Sequence, residues 1–223
     1  MSHISPYRRF EDMCGIVGIV DQRTDASDLA DVGARMLEIQ GHRGPDHRGT
    51  WLAPPVFLGH NRLSIIDLSD ASHQPMTWGD LTLTFNGEIY NYLELRAELE
   101  RDGHVFRTTG DTEVILHAFQ RWGHAAVDRF IGMWALAIWN ATTGELFCSR
   151  DRFGIKPFHY VFRDGRLAFA SEIKGLRVTP LVRGGLNEAQ VARGLYLGWM
   201  HHWDETYLAD IKALPASHNL VWK

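Results

Sequence analysis

The stretch EDMCGIVGIVD, Glu11 to Asp21, sets a cysteine at the head of a short apolar strand. Gly15 to Asp21 is β-branched and apolar and reads as β. Cys14 itself admits two readings. Free cysteine is among the most buried residue types, so composition alone favours a small core residue that opens the strand. The alternative is a nucleophile. If the chain matured to begin at Cys14, its own α-amino group would lie within a few bonds of the thiol. That amine has a pKa of about 7.7–8.0, close to working pH, where a general base is most useful. Nothing beside Cys14 in local order offers a His or Asp base instead.

Working outward, Asp28 to Gln40 carries Leu29, Val32, Met36 and Ile39 at helical spacing, with Gly41 placed to stop the helix. HRGPD (His42 to Asp46) is a Gly/Pro loop. VFLGHNRLSIIDL and LTLTFNGEIYN are strand candidates, the second alternating through Leu81, Leu83 and Phe85. The period then changes. Tyr92, Leu95 and Leu99 line one face of a helix ending near Gly103. In GDTEVILHAFQRWG, Asp111 or Thr112 can cap a helix whose apolar face holds Ile115, Phe119 and Trp122. MWALAIWN, LFCSRD, FHYVF and RLAFASE follow as strands, with Asp164-Gly165 a hairpin turn. A last helix starts at Asn187, with Gln190 as capping-box partner and Leu186 and Val191 as its hydrophobic staple. Strands that flank a helical pair give an α+β layered domain, two sheets covered by helices.

The 223 residues, 45% hydrophobic, suffice for one large core. A formal net charge of -4 with scattered Lys and Arg leaves no footprint for nucleic acid. No apolar run reaches the roughly 18 residues of a membrane span, and the Arg8-Arg9 leader lacks the apolar middle of a secretory signal. Two cysteines make a poor disulfide framework and suit a reducing cytoplasm, where the protein is expected. The 12 histidines form no metal-ligand spacing, so no metal is expected.

Other residues could carry chemistry. Asn86-Gly87 in FNGEIYN offers a side-chain amide and an unobstructed backbone N–H, the two donors of an oxyanion hole. The same dipeptide is also a common tight turn, and both readings stay open. Arg43, Arg62, Glu88 and Asp111 together would suit an amino-acid zwitterion, Arg for a carboxylate and acids for an ammonium. Taken singly, each suits a surface ion pair or a cap, and for Asp111 an N-cap is the structural account. RDRFGIKP (Arg150 to Pro157) is either a functional loop or a strand-ending turn with a salt-bridged surface.

Cys14-Gly15-Ile16, HRGPD, RLSIIDLS, QPM (Gln74 to Met76), FNGEIYNY, GDTEV, RDRFGIKP and FASEIKGL, in this order, resemble the glutaminase domain of glutamine-dependent asparagine synthetase. That domain is one of the class II, N-terminal nucleophile, glutamine amidotransferases. The resemblance runs from Met13 to about Lys223. It implies a four-layer α/β/β/α sandwich of two antiparallel sheets, with glutamine as substrate. Cys14 would then be the nucleophile and its freed amine the base, with Asn86 and Gly87 as the oxyanion hole. Arg62 would bind the α-carboxylate, Glu88 and Asp111 the α-amino group, and Ile65 would line the pocket through its backbone. Arg43 would support the site.

Two departures from the family matter. Met1 to Asp12 precede Met13, so a leader over 1–13 is expected as a mis-assigned start or a propeptide. The amidotransferase domain would span 14–186, and 187–223 would be a C-terminal helix and linker toward a synthetase domain. The SGG-x-D-S pyrophosphate loop of that second domain is absent, as is any GxxxxGK[ST]. No cofactor is therefore expected in this chain, and ATP and Mg only in the missing domain. The expected partner is a synthetase domain or partner chain that accepts ammonia. Two other readings are a glutamine-binding module inactive because Cys14 is blocked, and the glutaminase of another amide-forming synthetase.

Overall fold

Strand β1, Gly15–Val20, alternates between two cores. Ile16 and Val20 face a layer holding Cys148, Phe158 and Phe169, whereas Val17 and Ile19 face Leu29, Met36 and Leu37 of helix α1, Ala26–Ile39. Successive side chains of a strand point to opposite faces, so a strand apolar throughout must be covered on both. The computed structural model describes residues 13–63, 72–198 and 203–223.

β1 is central to a six-stranded sheet. On one side lie β3 (Val56–Arg62) and then β2 (His47–Ala53); on the other, β9 (Arg166–Ala170), β8 (His159–Arg163) and β10 (Lys212–Ala213). The second sheet has five strands in the order β11 (Asn219–Trp222), β7 (Glu145–Arg150), β6 (Gly132–Asn140), β5 (Leu81–Ile89) and β4 (Met76–Trp78). All neighbours pair antiparallel.

Three apolar clusters separate four layers. One lies between the sheets. The second holds α1 and α4 (Ile173–Arg177) on the six-stranded sheet. The third packs α2 (Tyr92–Arg101) and α3 (Asp111–Trp122) on β5 and β6. On β6, Ala135, Ala137 and Trp139 face the other sheet while Trp134, Leu136 and Ile138 face the helices. The α/β/β/α sandwich is as expected. Phe169, wholly buried and stacked on Phe158 with ring centroids 5.1 Å apart, is central between the sheets; truncating it to Ala would cost about 3–5 kcal/mol.

Local signals explain most boundaries. Asp25 caps α1 by accepting the Asp28 N–H, and Gly41 opens a 3₁₀ turn, Gly41–Arg43, rather than merely ending the helix. Asp164 and Gly165 both take positive φ, 53° and 81°, as a two-residue hairpin requires. Asn187 caps helix α5 (Glu188–Leu197) through the Gln190 N–H. Beyond α5 the 187–223 stretch is more than a linker. β10 and β11 add an edge strand to each sheet, and Leu214 and Trp222 enter the core between them. Among the described residues no helix is long and apolar enough to cross a membrane.

Candidate active site

Cys14 stands one residue before β1, beside the last residues of β3. Its Sγ lies 3.4 Å from the Leu63 N–H nitrogen and 3.5 Å from the Leu63 carbonyl oxygen. Arg43, carried by the 3₁₀ turn after α1, donates from Nε to the Cys14 carbonyl at 3.0 Å and from Nη1 to Glu172 at 3.0 Å. Burial pushes the Cys14 thiol above its ordinary value. The Leu63 N–H and the charges of Lys156, Arg62 and Arg43 oppose that rise.

Opposite the thiol lies the exposed edge of β5. Beyond Leu83 this strand has outrun β4, so its outward N–H groups need other partners. Phe85 donates to the Gln74 Oε1 at 2.6 Å, and Ile89 donates to the Asp111 Oδ2 at 3.0 Å. Gly87 lies between them on the same edge. Its cross-strand partner Trp134 turns both backbone groups to Asp151, so Gly87 makes no bond to β6. No described residue accepts the Gly87 N–H. The side-chain amide of neighbouring Asn86 is buried with its Nδ2 equally unpartnered. Two donors at the cysteine end are thus left open among the described residues, whereas buried donors in proteins are ordinarily paired.

Asn86-Gly87 is not a turn. Both residues lie inside β5, in register with Ala135 and Trp134 of β6. Sheet pairing overrides the turn preference of the dipeptide. A Cβ on Gly87 would sit 2.2 Å from the Met133 carbonyl oxygen, so the close approach of β6 demands glycine there.

Asp111 is not a cap either. Gly110 holds the N-cap position of α3 without a side-chain bond, and Asp111 is the first helical residue. Its carboxyl turns to β5 and the cleft. Burial raises its pKa to about 6; the Ile89 N–H restrains the rise and the nearby Glu88 charge adds to it. Such a carboxyl is short of a cation.

One cleft is lined by Cys14, His60, Arg62, Gln74, Gly87 and Asp111, among others. Cys14, Arg62, Gly87 and Asp111 are thus brought together in one cleft. Asn86 and Arg43 stand directly behind that lining, and half-buried Glu88 follows Gly87 on β5. Ile65 falls outside the described residues. Sequence reasoning did not single out Gln74, which holds the edge of β5, as a site residue. It also passed over His60, wholly buried, which donates from Nε2 to the Phe85 carbonyl at 3.0 Å. Burial lowers the His60 pKa to about 3, so the ring is neutral. The QPM and GHNRL strings were visible, but nothing in them reports burial. Among the described residues no group of three His, Cys, Asp or Glu is placed to hold a metal ion.

RDRFGIKP is not a salt-bridged surface turn. Asp151 is wholly buried and accepts the N–H groups of Trp134, Phe153, Ile155 and Lys156. Arg150 donates to the carbonyls of Gly154, Lys156 and Leu214. The pair clamps a loop whose Lys156 reaches back to the start of β1.

The chain matches a model of the glutamine amidotransferase domain over residues 13–223. It is 35% identical over 214 residues to asparagine synthetase [glutamine-hydrolyzing] 3 of Bacillus subtilis, covering 94% of this chain and 35% of the relative. It is 38% identical over 167 residues to asparagine synthetase B [glutamine-hydrolyzing] of Escherichia coli, covering 74% and 30%. The chain thus spans about a third of the length of these relatives. Among solved structures, the glutamine phosphoribosylpyrophosphate amidotransferase of B. subtilis superposes with a TM-score of 0.63 at 22% identity, over 74% of this chain and 43% of that one. At that identity the likeness speaks for the fold alone.

Proposed function

Because the chain belongs to the glutamine amidotransferase domain family, we propose that it hydrolyses glutamine through a thioester on Cys14, releasing ammonia for a synthetase. The observation that carries this reading is the pair of adjacent donors on β5, Asn86 Nδ2 and the Gly87 N–H, which no described residue accepts, with Gly87 lining the cleft that holds Cys14. An oxyanion needs such donors fixed beforehand, since they then need no reorganisation during reaction. Arg62 is suited to the substrate carboxylate, and Asp111 with Glu88 to its ammonium.

In the proposed sequence the α-amine of a terminal Cys14 takes the thiol proton. The sulfur attacks the side-chain carboxamide carbon, and the carbonyl oxygen becomes the oxyanion held by Asn86 and Gly87. The C–N bond then breaks, and ammonia leaves with the proton returned by the amine. Water, deprotonated by the same amine, cleaves the thioester to glutamate and restores the thiol. The names of the relatives favour an aspartate-activating synthetase as the ammonia acceptor.

The mechanism requires a free amine. An α-nitrogen joined to Met13 is an amide whose delocalised lone pair cannot accept the proton. The active form is therefore proposed to begin at Cys14, after translation from Met13 and methionine removal, or after propeptide cleavage. Intact-mass analysis paired with a glutaminase assay on one preparation tests this. Activity is expected only in chains starting at Cys14. A chain still beginning at Met1 that turns over glutamine equally fast would refute the amine as base, and inactivity of both forms would favour a binding module.

A further inference from the structure

Lys156 is the buried charge that the proposed mechanism leaves unused. Its side chain is only 7% exposed, and among the described residues no carboxylate lies within 4 Å of its ammonium. Its Nζ instead lies 3.3 Å from the Sδ of Met13, a weak acceptor. Burying an ammonium is expensive, and the surrounding loop fixes the backbone that carries it. Asp151 accepts the Lys156 N–H at 3.0 Å and Arg150 donates to its carbonyl at 2.8 Å, so both backbone groups are fixed.

The groups around the ammonium come from four elements. Cys14 precedes β1, Arg43 sits on the 3₁₀ turn, Glu88 on β5 and Asp151 at the end of β7; Arg62 of β3 acts on the same thiol. Burial draws Lys156 below the usual lysine range, while the Cys14 thiolate would hold it up. Of the three cations that favour that thiolate, Lys156 acts most strongly. Glu172 pairs with Arg43 at 3.0 Å, whereas Asp151 and Glu88 act on Lys156 only from beyond ion-pair distance.

We propose that Lys156 is a positioning residue that keeps the α-amine of a terminal Cys14 unprotonated and steadies the thiolate beside it. The inference rests on the reading of Cys14 given above. The contact with Met13 puts Nζ against the residue whose departure creates the amine. Once that methionine is gone, Lys156 loses the Sδ contact, the one side-chain partner it has among the described residues, and lies beside the new terminus. A neighbouring cation disfavours a second positive charge, so more of the amine is free base at neutral pH.

Among the described residues all helices and strands lie beyond Cys14, so a chain starting there keeps each of them. In that chain, Lys156→Met and Lys156→Gln are expected to move the acid limb of kcat/KM for glutamine up by about one pH unit. Activity would fall about tenfold near pH 6.5 and little at pH 9, and Lys156→Arg would restore the limb. The midpoint of Cys14 alkylation by iodoacetamide against pH, measured without glutamine, should rise with it. A folded neutral variant that loses rate equally at every pH, with its alkylation midpoint unmoved, would reduce Lys156 to packing and overturn the proposal. If the parent chain fails to hydrolyse glutamine, the thioester reading fails instead, and the alkylation midpoint still decides the role of Lys156.

Discussion

Cys14 and Cys148 put the same side chain into opposite surroundings. Cys148 lies within β7, across from Ala137 of β6 and Leu220 of β11, wholly buried in the layer between the sheets. Burial pushes its thiol up with nothing to oppose it. Cys14 is also pushed up by burial, but a backbone N–H and three cations pull against that. The difference is therefore not depth alone. It is what the neighbourhood leaves unsatisfied: Cys148 sits in an apolar layer, while near Cys14, among the described residues, lie two unpartnered donors, a carboxyl with a raised pKa and an ammonium with no carboxylate in ion-pair reach.

The sharpest way to break the comparison is to remove each sulfur in a chain beginning at Cys14. Cys14→Ala should abolish glutamine hydrolysis, a loss of more than about 10³-fold, with an unchanged melting temperature. An equally inactive Cys148→Ala would erase the distinction. Asn86→Ala should come next, lowering kcat about 10²–10³-fold with a smaller effect on half-saturation. A loss confined to binding would remove Asn86 from the oxyanion role.

The acid in the cleft sharpens the contrast further. The Asp111 pKa is raised to about 6, so its charge is present above that pH and lost as pH falls through it. Glutamine affinity, measured by calorimetry on Cys14→Ala, should therefore weaken up to about tenfold per unit below pH 6. Asp111→Asn should bind weakly at all pH and show no such slope; a slope that persists would assign it elsewhere. Arg62→Lys should raise half-saturation about tenfold despite its preserved charge, because an ammonium cannot reproduce a bidentate fork. An unchanged value would take Arg62 out of the site. Smallest of all, Cys148→Ala should cost about 1 kcal/mol in denaturant unfolding and leave turnover within twofold.

Legibility in the sequence followed periodicity. β5 and the main helices were readable because their apolar residues repeat at 2 or 3.6, and β1 and β6 because they are short runs apolar on both faces. β2 was not: HRGTWLA is an edge strand with one face solvated, a glycine at its third position and no apolar alternation. β4 escaped because three residues show no period. In the site, Cys14 and Arg62 were placed by motif. Asn86-Gly87 and Asp111 were found, but their local signals pointed to a turn and a cap. Pairing with β6 overrode the first, and Gly110 took the N-cap position expected of Asp111. Arg150-Asp151 looked like a surface pair because opposite charges side by side usually are. Only the fold reveals that both are consumed by backbone groups, and that Lys156 behind them is buried.

The central place of β1 also has a consequence in time. Its two neighbours are β3, ending at Arg62, and β9, which begins at Arg166. During synthesis the strand behind Cys14 cannot gain its second neighbour until some 170 residues have been made, about 10–30 s at ordinary ribosomal speed. Throughout that interval the sheet stays open along one edge of the strand behind Cys14. The arrival of β9 then closes that edge and completes the sheet around the strand that Cys14 heads.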